Sequence, residues 1–317
     1  MDTNKKVVIL GGGNGLSTLI GGLKKFPVDI TAVVAVSDDG TSTGKLREEF
    51  NIPAVGDLRR VIVSLSQTEP LVQELLNYRF KTCSDLNGHT LGNLLLTALI
   101  EVAGNLSTGI ESLSKVLNLK GKVLPVTQDN VTLMAEMEDG LVVEGEHNIT
   151  KAGKQIKRVF YKEHPIVLQE VIDQINNADL IILSMGSLFT SIIPNLLCKE
   201  VVEAIDNSKA EVMYICNIMT QPGETDDFTA SKHVKTLNNY LGNKKVSKII
   251  ANNGKISKDI IDKYLVAEQK DPVIIDREEL EKIQVKVIED EFVAIEEEKI
   301  RHNTTKLGFA IFSELTL

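Results

Sequence analysis

Residues 7–17 read VVILGGGNGLS: a buried-strand run that breaks into Gly11, Gly12 and Gly13, then Asn14-Gly15, before an apolar helical segment opens at Leu16. This is how a strand feeds a phosphate cradle. Glycines without Cβ atoms can take positive φ and let main-chain N–H groups close on an anion, while the following helix turns its positive dipole end to the same spot. The turn differs from the dinucleotide fingerprint GxGxxG, because Leu16 stands where the third glycine belongs. The same residues also allow a plain strand-to-helix connection with no ligand. A nucleotide or sugar nucleotide is the expected occupant.

Outward from this turn, apolar strands alternate with helical periods. Val7–Leu10, a helix near Leu16–Lys25 and the strand Ile30–Val36 make a βαβ unit that ends in Ser37-Asp38-Asp39-Gly40. Leu58–Leu65, Leu71–Asn77 and Leu91–Ala103 read as helices. From Val123 to about Tyr161 the period shortens to two, with Val131, Leu133, Ala135 and Met137 alternating with other residues. A turn at Glu138-Asp139-Gly140 and a return along Leu141 and Val143 complete the pattern. Residues 121–163 are therefore expected to be a small antiparallel insertion. The α/β rhythm resumes with a helix near Pro165–Asn176, a strand at Leu180–Leu183, the segment Ile192–Asp206, a strand at Val212–Cys216, a helix at His233–Tyr240 and a strand at Lys248–Asn252. No linker or repeat divides the chain. The expectation is one doubly wound α/β domain over residues 1–317, mainly parallel, with its ligand beyond the carboxyl ends of the strands.

The 317 residues carry 44 acidic and 35 basic side chains, a net charge of −9 that argues against nucleic acid or an anionic membrane as the main partner. Cys83, Cys198 and Cys216 are odd in number and far apart, which supports neither a disulfide framework nor a metal clasp. MDTNKK leads straight into a strand, and the apolar stretch 180–197 is broken by Ser184, Gly186, Ser187, Ser191, Pro194 and Asn195, so neither a signal peptide nor a membrane span is expected. A cytoplasmic protein fits these features.

Four polar loops should meet in one crevice. The glycine turn is the first. Ser37, Asp38 and Asp39 form the second; the two carboxylates can face a phosphate through Mg²⁺, or cap a helix. Gly88-His89-Thr90-Leu91-Gly92-Asn93 is the third, where His89 can touch phosphate, move a proton near neutrality, or simply hold the loop. Met185-Gly186-Ser187-Leu188-Phe189-Thr190-Ser191 is the fourth, able to contact a ligand or to serve as a tight strand exit.

These loops, together with Gly56-Asp57-Leu58-Arg59, Ala178–Leu183, Ile192-Ile193-Pro194-Asn195 and Cys216–Thr225, resemble in order and spacing the motif series of the YvcK branch of the CofD-like family, often called gluconeogenesis factors. The resemblance spans almost the whole chain. It implies a Rossmann-like fold, binding of a UDP-sugar such as UDP-N-acetylglucosamine, and a regulatory role in growth on gluconeogenic carbon sources and in cell shape. A homodimer is compatible with it. The alternative it carries is a Mg²⁺-dependent transferase similar to 2-phospho-L-lactate transferase, which joins a phospholactyl group from a guanosine-linked donor to a deazaflavin. Asn14, Thr41 and Ser184-Met185 depart from the family pattern. Within these motifs the expected ligand contacts are Gly11, Gly12, Gly13, Asn14, Ser37, Asp38, Asp39, His89, Asn93, Gly186, Ser187, Asn217, Thr220 and Gln221. Tyr264 and Arg301 match positions that the family associates with the UDP-sugar: Tyr264 can stack on a uracil ring, and Arg301 can donate a charged fork to a diphosphate. No catalytic nucleophile paired with a base is legible.

Overall fold

The computed structural model describes residues 4–296 and 299–316. Seven strands form a wholly parallel sheet in the order β10-β9-β8-β7-β1-β2-β3. They are β1 (Lys5–Gly11), β2 (Val28–Val34), β3 (Lys122–Pro125), β7 (Leu180–Leu183), β8 (Glu211–Ile215), β9 (Val246–Asn252) and β10 (Lys286–Asp290). After β1 the chain first builds outward through β2 and β3, then returns to add β7 on the other side of β1. The gap between β1 and β7 is thus the topological switch point, where loops diverge and leave a crevice.

Both faces of the sheet are covered, which is why its strands read as continuous apolar runs. Along β1, Val7 and Ile9 enter one core with α1 (Gly13–Leu23), while Val8 and Leu10 enter the other. Three further helices, α2 (Thr41–Phe50), α3 (Gly56–Leu65) and α4 (Pro70–Asn77), lead to α5 (Leu91–Ala103) and α6 (Leu106–Val116). The α5 bounds match the expectation; Thr90 caps this helix through its side chain and Gly104 ends it at φ 83°. The sequence reading has no helix over α2, whose residues are mostly polar, nor over α6, although Leu106, Ile110 and Leu113 recur at helical spacing.

The antiparallel insertion exists but is shorter than expected. It holds β4 (Leu133–Met137), β5 (Val142–Glu144), α7 (Glu146–Ala152) and β6 (Ile156–Tyr161), in the order β5-β4-β6. The β4 pattern is as read: Leu133, Ala135 and Met137 are buried in turn, and Gly140 takes positive φ in the hairpin. Lys122–Pro125 is a correction. This segment pairs parallel with β2 at the sheet edge, and its four residues, Lys122-Val123-Leu124-Pro125, are too few to carry a period that separates a parallel strand from an antiparallel one. Beyond β9, the expectation lacks β10, the hairpin of β11 (Val293–Glu296) with β12 (Lys299–His302), and the final helix Thr304–Thr316 packed on α1. No helix among the described residues is long and apolar enough to cross a membrane. Cys198 and Cys216 are buried and Cys83 is exposed, all as free thiols.

Candidate functional site

The glycine turn and the exit of β7 face each other across the switch point. A Cβ on Gly15 would lie 1.9 Å from the Met185 carbonyl oxygen, and one on Gly11 would lie 2.0 Å from Ser184 Oγ. Both glycines therefore serve close packing of loop on loop. Only Gly13 has positive φ, at 59°; Gly12 is extended, and its demand for a small residue comes from Asp57, whose Oδ2 would sit 2.8 Å from an added Cβ. The N-cap Gly12 offers no side chain to α1 and no acid stands in its first turn; Asp57 takes the Gly13 amide, and the amides that follow are available to an anion.

Two compartments that share Asn14, Gly15, Gly186 and Ser187 in their walls open from this point. An inner one of about 440 Å³ is lined by Gly12, Gly13, Asn14, Asp38, Asn93, Gly186 and Ser187 of the expected set. An outer one of about 680 Å³ is lined by Asn14, Gly186 and Ser187 again, and by Asn217, Thr220, Gln221, Tyr264 and Arg301. Each lies within the size range of small-molecule pockets. The outer residues come from segments up to 287 positions apart in sequence, taking Arg301 against Asn14, and the sheet's carboxyl edge brings them to one cleft.

Several of these groups are held before any ligand arrives. Asn217 grips the Gly186 peptide from both sides: its Nδ2 donates to Gly186 O at 2.7 Å, and its Oδ1 accepts from Gly186 N at 3.0 Å. The grip holds Gly186 at φ 142°, a conformation that favours glycine. Ser187 Oγ donates to the buried Glu224 carboxylate at 2.5 Å; Phe189 N and Gln221 Nε2 donate to the same carboxylate. Burial raises the Glu224 pKa, and the hydroxyl and amide donors pull against it. A π-helical turn at Leu188–Ile192 follows this loop, an irregularity often found at functional sites. In the outer cleft, Tyr264 Oη accepts from Ile300 N at 2.8 Å, which fixes the ring against β12.

Four expected residues do not line either compartment. Gly11 ends β1, with its carbonyl accepting from Asn195 Nδ2 at 3.2 Å. Ser37 is buried, and its carbonyl accepts from Arg47. His89 is buried with Nδ1 3.1 Å from Ser42 Oγ, so it positions Ser42, and burial lowers its pKa. Asp39 faces a separate depression with Arg47 and His147, where its Oδ1 accepts from His147 N at 2.7 Å in the first turn of α7. The two neighbouring aspartates are thus split: Asp38 faces the crevice, and Asp39 takes the capping role.

Sequence reasoning left out the strongest charges in the inner compartment. Asp57, Arg59 and Arg60 come from the opening of α3, Arg79 from the loop after α4, and Glu146 from the insertion. Burial pushes Asp57 up to about 6; Asp38 adds to the rise, while Arg60 and the Gly13 amide oppose it. Glu146 is raised well above the carboxylate range by burial and then by Asp38 and Asp57. Among the described residues, no three His, Cys, Asp or Glu groups are arranged to hold a metal ion by themselves. The motif Gly56-Asp57-Leu58-Arg59-Arg60, an acid followed by two arginines in the first turn of a helix, is the signal that pointed to part of this set.

Comparison with known proteins agrees with this architecture. The profile of the family described as 2-phospho-L-lactate transferase CofD matches residues 7–293. The chain is 48% identical over 309 residues to the gluconeogenesis factor of Bacillus subtilis, covering 97% of each protein. It is 47% identical over 308 residues to the gluconeogenesis factor of Halalkalibacterium halodurans, covering 97% of this chain and 95% of that one. A crystal structure of a Bacillus halodurans protein superposes with a TM-score of 0.95 at 46% identity, over 98% of this chain and 100% of that chain.

Proposed function

Since the chain belongs to the CofD family, we propose that it is a regulatory protein that binds a UDP-sugar, with UDP-N-acetylglucosamine the ligand of choice. The observation that carries this reading is the outer cleft. It joins the first turn of α1 at Asn14 and Gly15, suited to a diphosphate, to an aromatic ring and an arginine that suit a nucleobase and phosphate. Its relatives of like length named gluconeogenesis factor support a role in central-carbon control. Among the described residues of the cleft, the hydroxyl bonded to a carboxylate is Ser187, whose partner Glu224 also bonds Phe189 N and Gln221 and so works as a loop clamp.

A second reading, a Mg²⁺-dependent transferase, rests on the carboxylates that share the inner compartment. Mg²⁺ is commonly held by one or two carboxylates together with substrate phosphates. Asp38 is the carboxylate suited to that part, with Asp57 behind it; the ion would screen phosphate charge.

Thermal stabilisation by a ligand panel separates the readings. Selective binding raises Tm by mass action, so UDP-N-acetylglucosamine should raise it more than GDP, NAD or a deazaflavin, with or without Mg²⁺. A larger rise with GDP that needs Mg²⁺ would move the assignment to the transferase.

A further inference from the structure

The inner compartment has charge that a nucleotide in the outer cleft leaves unused. Arg59 is only 4% exposed, yet its guanidinium meets neutral groups alone: Nε donates to Asn93 Oδ1 at 3.2 Å and Nη1 donates to Asn77 Oδ1. No carboxylate is in ion-pair contact with it among the described residues; Asp57, whose contact is with Arg60, attracts it only from a distance. A buried cation so weakly compensated is costly, and proteins normally keep one only where something neutralises it.

Two more guanidinium groups stand near. Arg79 lines the same compartment, and among the described residues its guanidinium donates to the Gly88 carbonyl alone. Arg60 is partly neutralised by Asp57 at 2.9 Å. The Arg59 value falls to about 10, through burial and then through repulsion from Arg60 and Arg79. The array is also held in place. Asn93, which orients Arg59, donates through Nδ2 to Ser42 Oγ at 3.1 Å, and Ser42 is in turn 3.1 Å from His89 Nδ1. Asp38 and Asp57 line the same compartment and Glu146 is held toward its neutral form, so the guanidinium groups are what an anion can meet there.

We propose that this end is a second anion site, which takes a small phosphorylated molecule at the same time as the nucleotide occupies the outer cleft. Arginine forks match phosphate oxygens in geometry and charge, and Arg59 Nη2 has no protein partner among the described residues. A neutral sugar carried by the nucleotide would have no use for this charge. The anion site itself stands without the nucleotide reading; its occupancy together with a nucleotide rests on that reading.

The test is calorimetric titration with inorganic phosphate at constant ionic strength, first on the free protein and then on protein saturated with UDP-N-acetylglucosamine. Phosphate should bind in both states. Arg79→Ala should weaken phosphate at least tenfold and leave nucleotide affinity within twofold; Arg59→Met, checked for folding by circular dichroism, should do the same. Unchanged phosphate affinity in Arg79→Ala, or mutual exclusion of phosphate and nucleotide, would overturn the proposal. Failure of UDP-N-acetylglucosamine to bind at all would count against the nucleotide reading only, since the titration on free protein still reports the anion site.

Discussion

Asp57 holds its carboxyl against the glycine turn, where the Gly13 amide bonds it, and its raised affinity for a proton follows from that buried position. Its pKa rises from 3.8 to about 6, chiefly by burial. A raised acid favours the folded state fully below about 3.8 and loses that increment as pH climbs through about 6, because the fold must then bury a charge. Asp57→Asn, neutral throughout, should therefore melt a few degrees above wild type at pH 8, and the gap should close near pH 4 in scanning calorimetry. Gly12→Val should push a branched side chain onto Asp57 and Ser191 and cost at least tenfold in nucleotide affinity, while circular dichroism stays native. The cause is steric, since Gly12 is extended. Tyr264→Ala and Arg301→Ala should each weaken UDP-sugar binding about tenfold, roughly 1.4 kcal/mol. Wild-type affinity in both would remove the outer cleft from the ligand site.

Elements rather than single residues decide how the insertion serves the crevice. α7 starts at Gly145, where φ is 88° and an added Cβ would meet Asp39 Oδ2 at 2.3 Å. Asp39 accepts from the His147 amide, so a loop of the main sheet caps a helix of the insertion and holds Glu146 at the compartment wall. Capping carboxylates contribute about 1 kcal/mol. Asp39→Ala should lower stability by about that much in urea denaturation, Asp39→Asn, which keeps an acceptor oxygen, should lower it less, and any change in nucleotide affinity should be equal in Mg²⁺ and in EDTA. A loss confined to Mg²⁺ would return Asp39 to a metal role.

At the scale of the whole molecule, the last helix closes the fold against the first. Gly22 approaches Thr304 so closely that a Cβ would lie 2.0 Å from its carbonyl oxygen, and Gly308 packs on Phe26. Leu307 and Ile311 are fully buried beside α1. Because α1 lines both compartments through Asn14 and Gly15, the end of the chain braces the candidate site at its beginning. Leu307→Ala should cost about 2–5 kcal/mol in a denaturant midpoint series, the range for a truncated core leucine. A much smaller loss would mean that the final helix is a detachable cover.

What the sequence determined by itself was local. Buried apolar runs, the glycine turn after β1 and the Glu138-Asp139-Gly140 hairpin are written in neighbouring residues, so the α/β class, the parallel strands from β1 to β9 except β3, and the loops at their carboxyl ends were legible. Tertiary structure decided what neighbours cannot. The edge strand β3 depends on pairing with β2 alone, and its four residues carry no period. Asp38 and Asp39 are the same residue type one position apart, yet backbone direction sends one to the crevice and the other to α7. The inner compartment draws Arg59 from α3, Arg79 from the loop after α4 and Glu146 from the insertion, and only packing over long sequence separations puts them in one cavity. Charge at a site is a sum over space, and spacing along the chain does not report it.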